Sequence, residues 1–129
     1  MTHLLDANVL IAAIWENHPH HDRTSRWLAG KQISVCPLSE LGFLRISTNP
    51  QVFHATMEKA RKLLQNFLTE RGAGRIPDDL PALNSHPQKT DRVTDFYLAA
   101  LAEKHGMKLA TLDEKIKHRA VVLVDQLEK

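Results

Sequence analysis

Apolar and polar positions along the chain fall into blocks that switch between the strand and helix periods. Leu4-Leu5 is a short apolar run that ends at Asp6 and reads as a brief first strand. Val9 to Trp15 follows at once and is apolar nearly all round, the pattern of a buried helix. A polar stretch, Asn17-His18-Pro19-His20-His21, closes that helix in a loop. His21 to Gly30 reads as a second helix, with Trp27 and Leu28 facing inward and Gly30 as its stop. Gln32 to Cys36 is the next strand, and Pro37 marks the turn into a third helix from Leu38 to Ser47. The clearest pattern runs from Thr56 to Arg71. There Ala60, Leu63, Leu64, Phe67 and Leu68 recur at helical spacing, and Gly72 stands at the C-cap.

From Gly74 to Lys89 the chain is mostly irregular, broken by Pro77, Pro81 and Pro87, with one short strand near Arg75-Ile76. Thr94 to His105 predicts a further helix, closed by Gly106. Lys108 to Asp113 is a strand that again ends in an acid. A short basic helix and a final strand, Ala120 to Val124, complete the order. Strands alternating with helices predict an α/β layer fold with a mainly parallel central sheet. No repeat, low-complexity tract or linker divides the chain, so one domain over residues 1–129 is expected.

Composition narrows this only a little. With 129 residues, 43% hydrophobic and 25% charged, the chain is an ordinary candidate for one self-supporting core. The single cysteine, Cys36, has no disulfide partner and sits in an apolar strand, where packing is the expected role. No apolar run approaches the roughly 20 residues of a membrane span. Met1 to Asp6 meets an acid too early for a signal peptide, so a cytoplasmic location is expected. A net charge of +2 says little about nucleic acid. Two local groups of bases, Lys59-Arg61-Lys62 and Lys115-Lys117-His118-Arg119, fit solvated helix faces or phosphate contacts.

The acids change the picture. Asp6 and Asp113 end strands, Glu40 lies in the first turns after the Gln32–Cys36 strand, and Asp95 opens the helix before the Lys108–Asp113 strand. In a parallel α/β sheet, strand ends and the helix starts that follow them share one edge, where ligands bind. Two like charges about 4 Å apart repel by roughly 4 kcal/mol at an effective dielectric near 20. Four carboxylates gathered there would take up protons or separate unless a cation offsets them. A hard divalent ion such as Mg²⁺ suits that role and takes few direct carboxylates. It also activates water for in-line attack at phosphorus and stabilises the leaving oxygen.

Each acid has a plainer reading as well. Asp6 could cap the helix behind it. Glu40 and Asp95 could favour the positive N-terminal ends of their helices, and Asp113 could be a turn residue. Four such coincidences on one sheet edge favour the joint reading.

The words around the acids carry a resemblance. Leu5-Asp6-Ala7-Asn8-Val9-Leu10-Ile11 resembles the opening of PIN domains, a hydrophobic strand followed by Asp-x-Asn. Cys36-Pro37-Leu38-Ser39-Glu40-Leu41-Gly42-Phe43-Leu44-Arg45 is similar to the segment that carries the second acid in VapC toxins of bacterial toxin–antitoxin pairs. Val93 to Ala102 resembles the segment of the third acid, and Leu109 to Asp113 that of the fourth. His18-Pro19-His20-His21 followed by Trp27-Leu28 is typical of one branch of that family. The resemblance covers essentially the whole chain and implies a PIN-like three-layer α/β/α fold over residues 1–129.

It further implies a Mg²⁺- or Mn²⁺-dependent endoribonuclease that stops translation, with transfer or ribosomal RNA as substrate. A homodimer and a cognate antitoxin are the implied partners. By position, Asp6, Glu40, Asp95 and Asp113 would be the catalytic, metal-binding acids. Asn8 and Thr111 would support them through hydrogen bonds, and Ser39 would do so unless it caps its helix. Asp91 and Glu114 read as cap or surface residues.

Other groups are weaker. His18, His20 and His21 lie in one short loop, too little for a structural zinc site, although His20 or His21 could touch RNA at the rim. No glycine-rich phosphate loop is present. Trp15, Trp27 and Phe43 read as core, and Tyr97 reads as packing before base stacking. Three other functions compete with the toxin reading. One is an RNA-processing PIN nuclease without an antitoxin. Another is a non-catalytic acidic module that binds a cation or a basic partner. The last is a phosphatase with an Asp nucleophile, which would want Asp-x-Asp where this chain has Asn8.

Overall fold

In the computed structural model, which describes residues 1–124, Thr2–Leu5 (β1) runs into Ala7–Ile14 (α1) and His21–Leu28 (α2). Gln32–Val35 (β2) is followed by Pro37–Ser47 (α3) and Met57–Arg71 (α4), and then by the two-residue strand Gly74–Arg75 (β3). Val93–Lys104 (α5), Lys108–Thr111 (β4) and Val121–Leu123 (β5) complete the order. The last five residues of the expected 1–129 domain lie outside the described residues.

Every described strand pairing is parallel, in the order β3-β2-β1-β4-β5. The chain therefore builds outward from β1 through β2 to β3, then crosses back to lay β4 against the other side of β1. That reversal creates a crevice between the C-terminal ends of β1 and β4, where ligands of open parallel sheets bind.

Side chains alternate across the sheet. Leu5, Ile33, Val35 and Ala110 face one apolar cluster with Val9, Leu10, Trp27 and Phe43 from α1, α2 and α3. Leu4 and Leu109 face a second cluster with Leu98 and Leu101 from α5. Helices thus cover both faces, giving three α/β/α layers. Among the described residues, no helix is long and apolar enough to cross a membrane.

Local chemistry sets the element ends. Thr56 caps α4 by accepting the Lys59 N–H at 3.1 Å, and Gly72 ends the helix in the left-handed region at φ 59°. One expected element is not formed. The basic stretch after Asp113 folds as turns rather than a short helix, because side chains take its backbone donors. Asp113 Oδ1 accepts the Lys115 N–H at 2.9 Å, and His118 Nδ1 accepts the Ala120 N–H at 3.0 Å. Conversely, 3-10 turns form at Ala82–Ser85 and Thr90–Arg92 where no structure was expected. Trp27 and Phe43 are core residues, whereas Trp15 is only partly buried. Its indole stacks on Phe53 and donates to Ser47 Oγ at 2.9 Å.

The crossing of α1 and α3 depends on Gly42. A Cβ there would lie 2.7 Å from the Cβ of Ala7. Gly42→Ala should therefore destabilise the protein by about 1–3 kcal/mol through overpacking, despite the roughly 1 kcal/mol that alanine normally adds to a helix. An unchanged or raised urea midpoint would show that the two helices can part at no cost.

Candidate metal centre

Asp6 sits at the end of β1 as the N-cap of α1, and its two oxygens are engaged differently. Oδ1 accepts the Ala7 N–H at 2.7 Å, the cap contact, while Oδ2 accepts the hydroxyl of Thr111 at 2.9 Å. Thr111 closes β4 and is fully buried. Its oxygen also accepts the Asn8 side-chain amide and the Asp113 backbone N–H, both at 3.1 Å. Asn8 Oδ1 accepts the Leu112 N–H at 3.1 Å. The first turn of α1 and the end of β4 are thus tied together across the crevice. Asn8 and Thr111 form that tie.

Asp95 is in the first turn of α5, and Asp113 lies two residues beyond the end of β4. Their carboxylates are joined by one guanidinium: Arg92 Nη1 lies 3.4 Å from Asp95 Oδ2 and 3.3 Å from Asp113 Oδ2. Electrostatics also couples both acids to Asp6. Asp6 is only 7% exposed, and burial pushes its carboxyl up to about 6, with the charges of Asp95 and Asp113 adding to the rise and the Thr111 hydroxyl opposing it. Asp95 is raised in the same direction, first by burial and then by Asp113, against the pull of Arg92.

The three aspartates therefore feel one another's charge, and Arg92 contacts two of them. Glu40 is not drawn into that group. It occupies the first turn of α3, and its carboxylate pairs with Arg75 Nη1 at 2.9 Å. The hydroxyl of Ser39 is spent on a cap: it donates to the Cys36 carbonyl at 3.0 Å and accepts the Cys36 N–H at 3.1 Å. His21 Nδ1 lies 2.8 Å from the Ala12 carbonyl, and His18 Nδ1 accepts the His20 N–H at 3.0 Å. The first contact joins α2 to α1, and the second stays within the loop between them. Burial, then the neighbouring His20 and His21, holds His18 below its usual value.

Sequence reasoning passed over both arginines. Arg92 was legible only as a base three residues before Asp95, a spacing that brings two side chains together at a helix start. Arg75 reaches Glu40 because β3 pairs with β2, with Val35 opposite Arg75. No local pattern announces that pairing.

The donor set is all oxygen, the chemistry of a site for a hard divalent cation, and its most buried member, Asp6, has no cationic partner among the ion pairs of the described residues. Among the described residues, no three acidic, histidine or cysteine side chains converge into one coordination cluster. This is compatible with an ion such as Mg²⁺, which takes one or two carboxylates and retains water. Asp6 and its two aspartate neighbours fit such an ion because the buried carboxylate otherwise pays for its charge by holding a proton.

Thr111→Val tests the tie. The methyl replaces a hydroxyl that serves three partners, leaving the Asp113 N–H and Asp6 Oδ2 without it. A loss of about 1–3 kcal/mol is expected from the unpaired buried groups, and divalent-ion affinity should fall about 10- to 100-fold. Unchanged Mn²⁺ affinity in a titration would remove Thr111 from any supporting role.

An all-parallel α/β sheet whose switch-point crevice collects aspartates defines the class of this protein. The family model of the PIN domain matches residues 3–122. Ribonuclease VapC38 of Mycobacterium tuberculosis (strain ATCC 25618 / H37Rv) is 35% identical over 123 residues, spanning 85% of this chain and 84% of that protein. Ribonuclease VapC39 of Mycobacterium tuberculosis (strain CDC 1551 / Oshkosh) is 36% identical over 131 residues, spanning 93% and 94%. This chain belongs to the PIN domain family.

The solved structures agree on the fold. VapBC2 from Rickettsia felis, bound to a promoter DNA fragment, superposes with a TM-score of 0.65 at 17% identity, covering 95% of this chain and 97% of that one. FitAB bound to the IR36 DNA fragment gives 0.66 at 20% identity, covering 100% and 99%.

Proposed function

We propose that this protein is a Mg²⁺- or Mn²⁺-dependent endoribonuclease and the toxin of a toxin–antitoxin pair, acting in the cytoplasm to inhibit translation. One observation carries the enzymatic reading. Asp6, buried at the sheet's switch point and fixed by Thr111, is held up to about 6, first by burial and then by the charges of Asp95 and Asp113. A structural cap has no use for a carboxylate buried among like charges; a cation site does. Support for the substrate class comes from relatives that are named ribonucleases and span most of the chain. The antitoxin partner rests on the same kinship and on the fold shared with VapBC2 and FitAB.

In this reading Asp6, Asp95 and Asp113 would hold the ion, and Glu40, now paired with Arg75, would be the fourth acid. A bound divalent ion supplies the Lewis acidity that phosphodiester hydrolysis requires. The protein supplies position. Thr111 fixes Asp6 Oδ2, Asn8 locks the β4 end to α1, and Asp113 is set by its own N–H on Thr111. None of these side chains needs to be a nucleophile. Transfer or ribosomal RNA is the proposed substrate and a homodimer the proposed assembly.

The test is to incubate purified protein with total transfer and ribosomal RNA, with Mg²⁺ or Mn²⁺ and in parallel with EDTA. Cleavage that requires the divalent ion is the expected result. No cleavage of either RNA pool under any ion would end the nuclease reading and leave a non-catalytic acidic module. Cleavage without growth arrest on expression would instead separate a processing nuclease from a toxin.

A further inference from the structure

Arg92 is only 17% exposed, and its one nitrogen Nη1 faces both Asp95 and Asp113. It comes from the 3-10 turn Thr90–Arg92, which runs directly into the first turn of α5 that carries Asp95. Its position is that of a monovalent cation placed between two of the three coupled aspartates. We propose that Arg92 is a resident counter-ion of the acidic site: it holds Asp95 and Asp113 together before a divalent ion arrives, and it competes with that ion for the same carboxylate oxygens.

The physical case has three parts. First, two carboxylates this close to a third, buried one repel unless something positive stands between them, and Arg92 is the group in contact with both. Second, Asp95 and Asp113 each present the same oxygen, Oδ2, to Arg92, whereas Asp113 Oδ1 is already taken by the Lys115 N–H. Asp113 Oδ2 is thus the oxygen with no backbone partner, and an ion that approaches it meets the guanidinium on the same atom. Third, the released side chain has somewhere to go. Arg92 also lines a cleft of about 820 Å³ with Gln88, Lys89, Phe96 and Lys117, open enough to accept it. Both contacts exceed 3.2 Å, longer than ideal charge-assisted hydrogen bonds, so a divalent ion displaces them without the cost of breaking a tight bidentate pair.

This inference rests on the divalent-ion reading above, and the experiment separates the two. Mn²⁺ is titrated calorimetrically into the wild type, Arg92→Gln and Arg92→Lys, and each protein's melting temperature is measured with EDTA and with saturating Mn²⁺. Coupling between two bound groups in one protein commonly amounts to about 5- to 150-fold. A guanidinium near the surface belongs at the low end of that range. Arg92→Gln should therefore bind Mn²⁺ about tenfold more tightly than the wild type, melt lower in EDTA, and gain more from Mn²⁺. Arg92→Lys keeps the charge and should stay near the wild type in affinity. Equal Mn²⁺ affinity in wild type and Arg92→Gln overturns the counter-ion role while leaving the metal site intact. Equal behaviour of the Lys and Gln variants overturns it too, since charge would not be the cause. If the wild type binds no Mn²⁺, both readings fall.

Discussion

Asp6→Asn should lose RNA cleavage by on the order of a thousandfold while melting at a higher temperature than the wild type in EDTA. The loss follows from the proposed role. A metal's Lewis acidity is worth several kcal/mol of transition-state stabilisation, and each 1.36 kcal/mol is tenfold in rate. The gain in stability follows from burial. In the fold the Asp6 carboxyl holds its proton up to about 6, against an ordinary value of 3.8. A raised carboxyl value means that the native state binds the proton more tightly than the unfolded chain does. The wild type therefore loses stability from this group as pH rises between those two values, and the loss is complete above about 6. A shift of this size corresponds to about 3 kcal/mol at neutral pH. Asn gives back about 1 kcal/mol of that through weaker contacts with Thr111 and Ala7.

The net gain of about 2 kcal/mol would raise the melting temperature by about 5–10 °C in a domain of this size. It should vanish near pH 4, where the native Asp6 is protonated, the unfolded chain's is still partly so, and most of the linkage penalty is gone. Thermal melts in EDTA at pH 4 and pH 7.5, beside an RNA cleavage assay, read both effects. An Asp6→Asn protein that cleaves at the wild-type rate would show that the reacting phosphate is elsewhere. One that is inactive and also less stable at neutral pH would mean that its inactivity reports misfolding.

Trp27→Ala should be the most damaging single change to the fold, at about 3–5 kcal/mol. The helix α2 is short, and its buried residues are Thr24, Trp27 and Leu28. Trp27 is 2% exposed, meets the His3 ring edge-on at 5.0 Å, and carries the Lys31 ammonium 4.3 Å above its ring. Removing the indole leaves a cavity between α2 and β1 that neither element can close, because β1 is paired on both sides. A fall in melting temperature of about 10–20 °C is expected. Trp27→Phe keeps most of the apolar area and should fall by less than half as much. Both variants keep the aspartate crevice, so cleavage at 15 °C by the folded fraction should persist. A drop of under 3 °C for Trp27→Ala would show that α2 is held mainly by its histidine contacts to α1.

Several features were legible because they are local. The alternation of apolar runs identified all five strands and five helices of the described chain, with ends correct to within one or two residues. Thr56 and Gly72 bound α4 by side-chain and backbone preferences that belong to single residues. The basic segment after Asp113 misled for an equally local reason: its composition suits a helix, but Asp113 and His118 compete for its N–H groups.

The candidate site divides in the same way. By residue type and place, the chain alone picked out Asp6, Glu40, Asp95 and Asp113 as acids at strand ends and helix starts, while Asn8 and Thr111 entered only through the family resemblance. Periodicity along one element tells which residues face inward, and it needs no partner. The crossover that sets β4 against β1 is decided by packing between elements about a hundred residues apart. That crossover alone joins Asn8 to Thr111 and draws Asp113 toward Asp6. It also decides what the acids meet: Arg92 between Asp95 and Asp113, and Arg75 on Glu40. Charges act through space rather than along the chain, so their neighbours could be known only once the sheet was assembled.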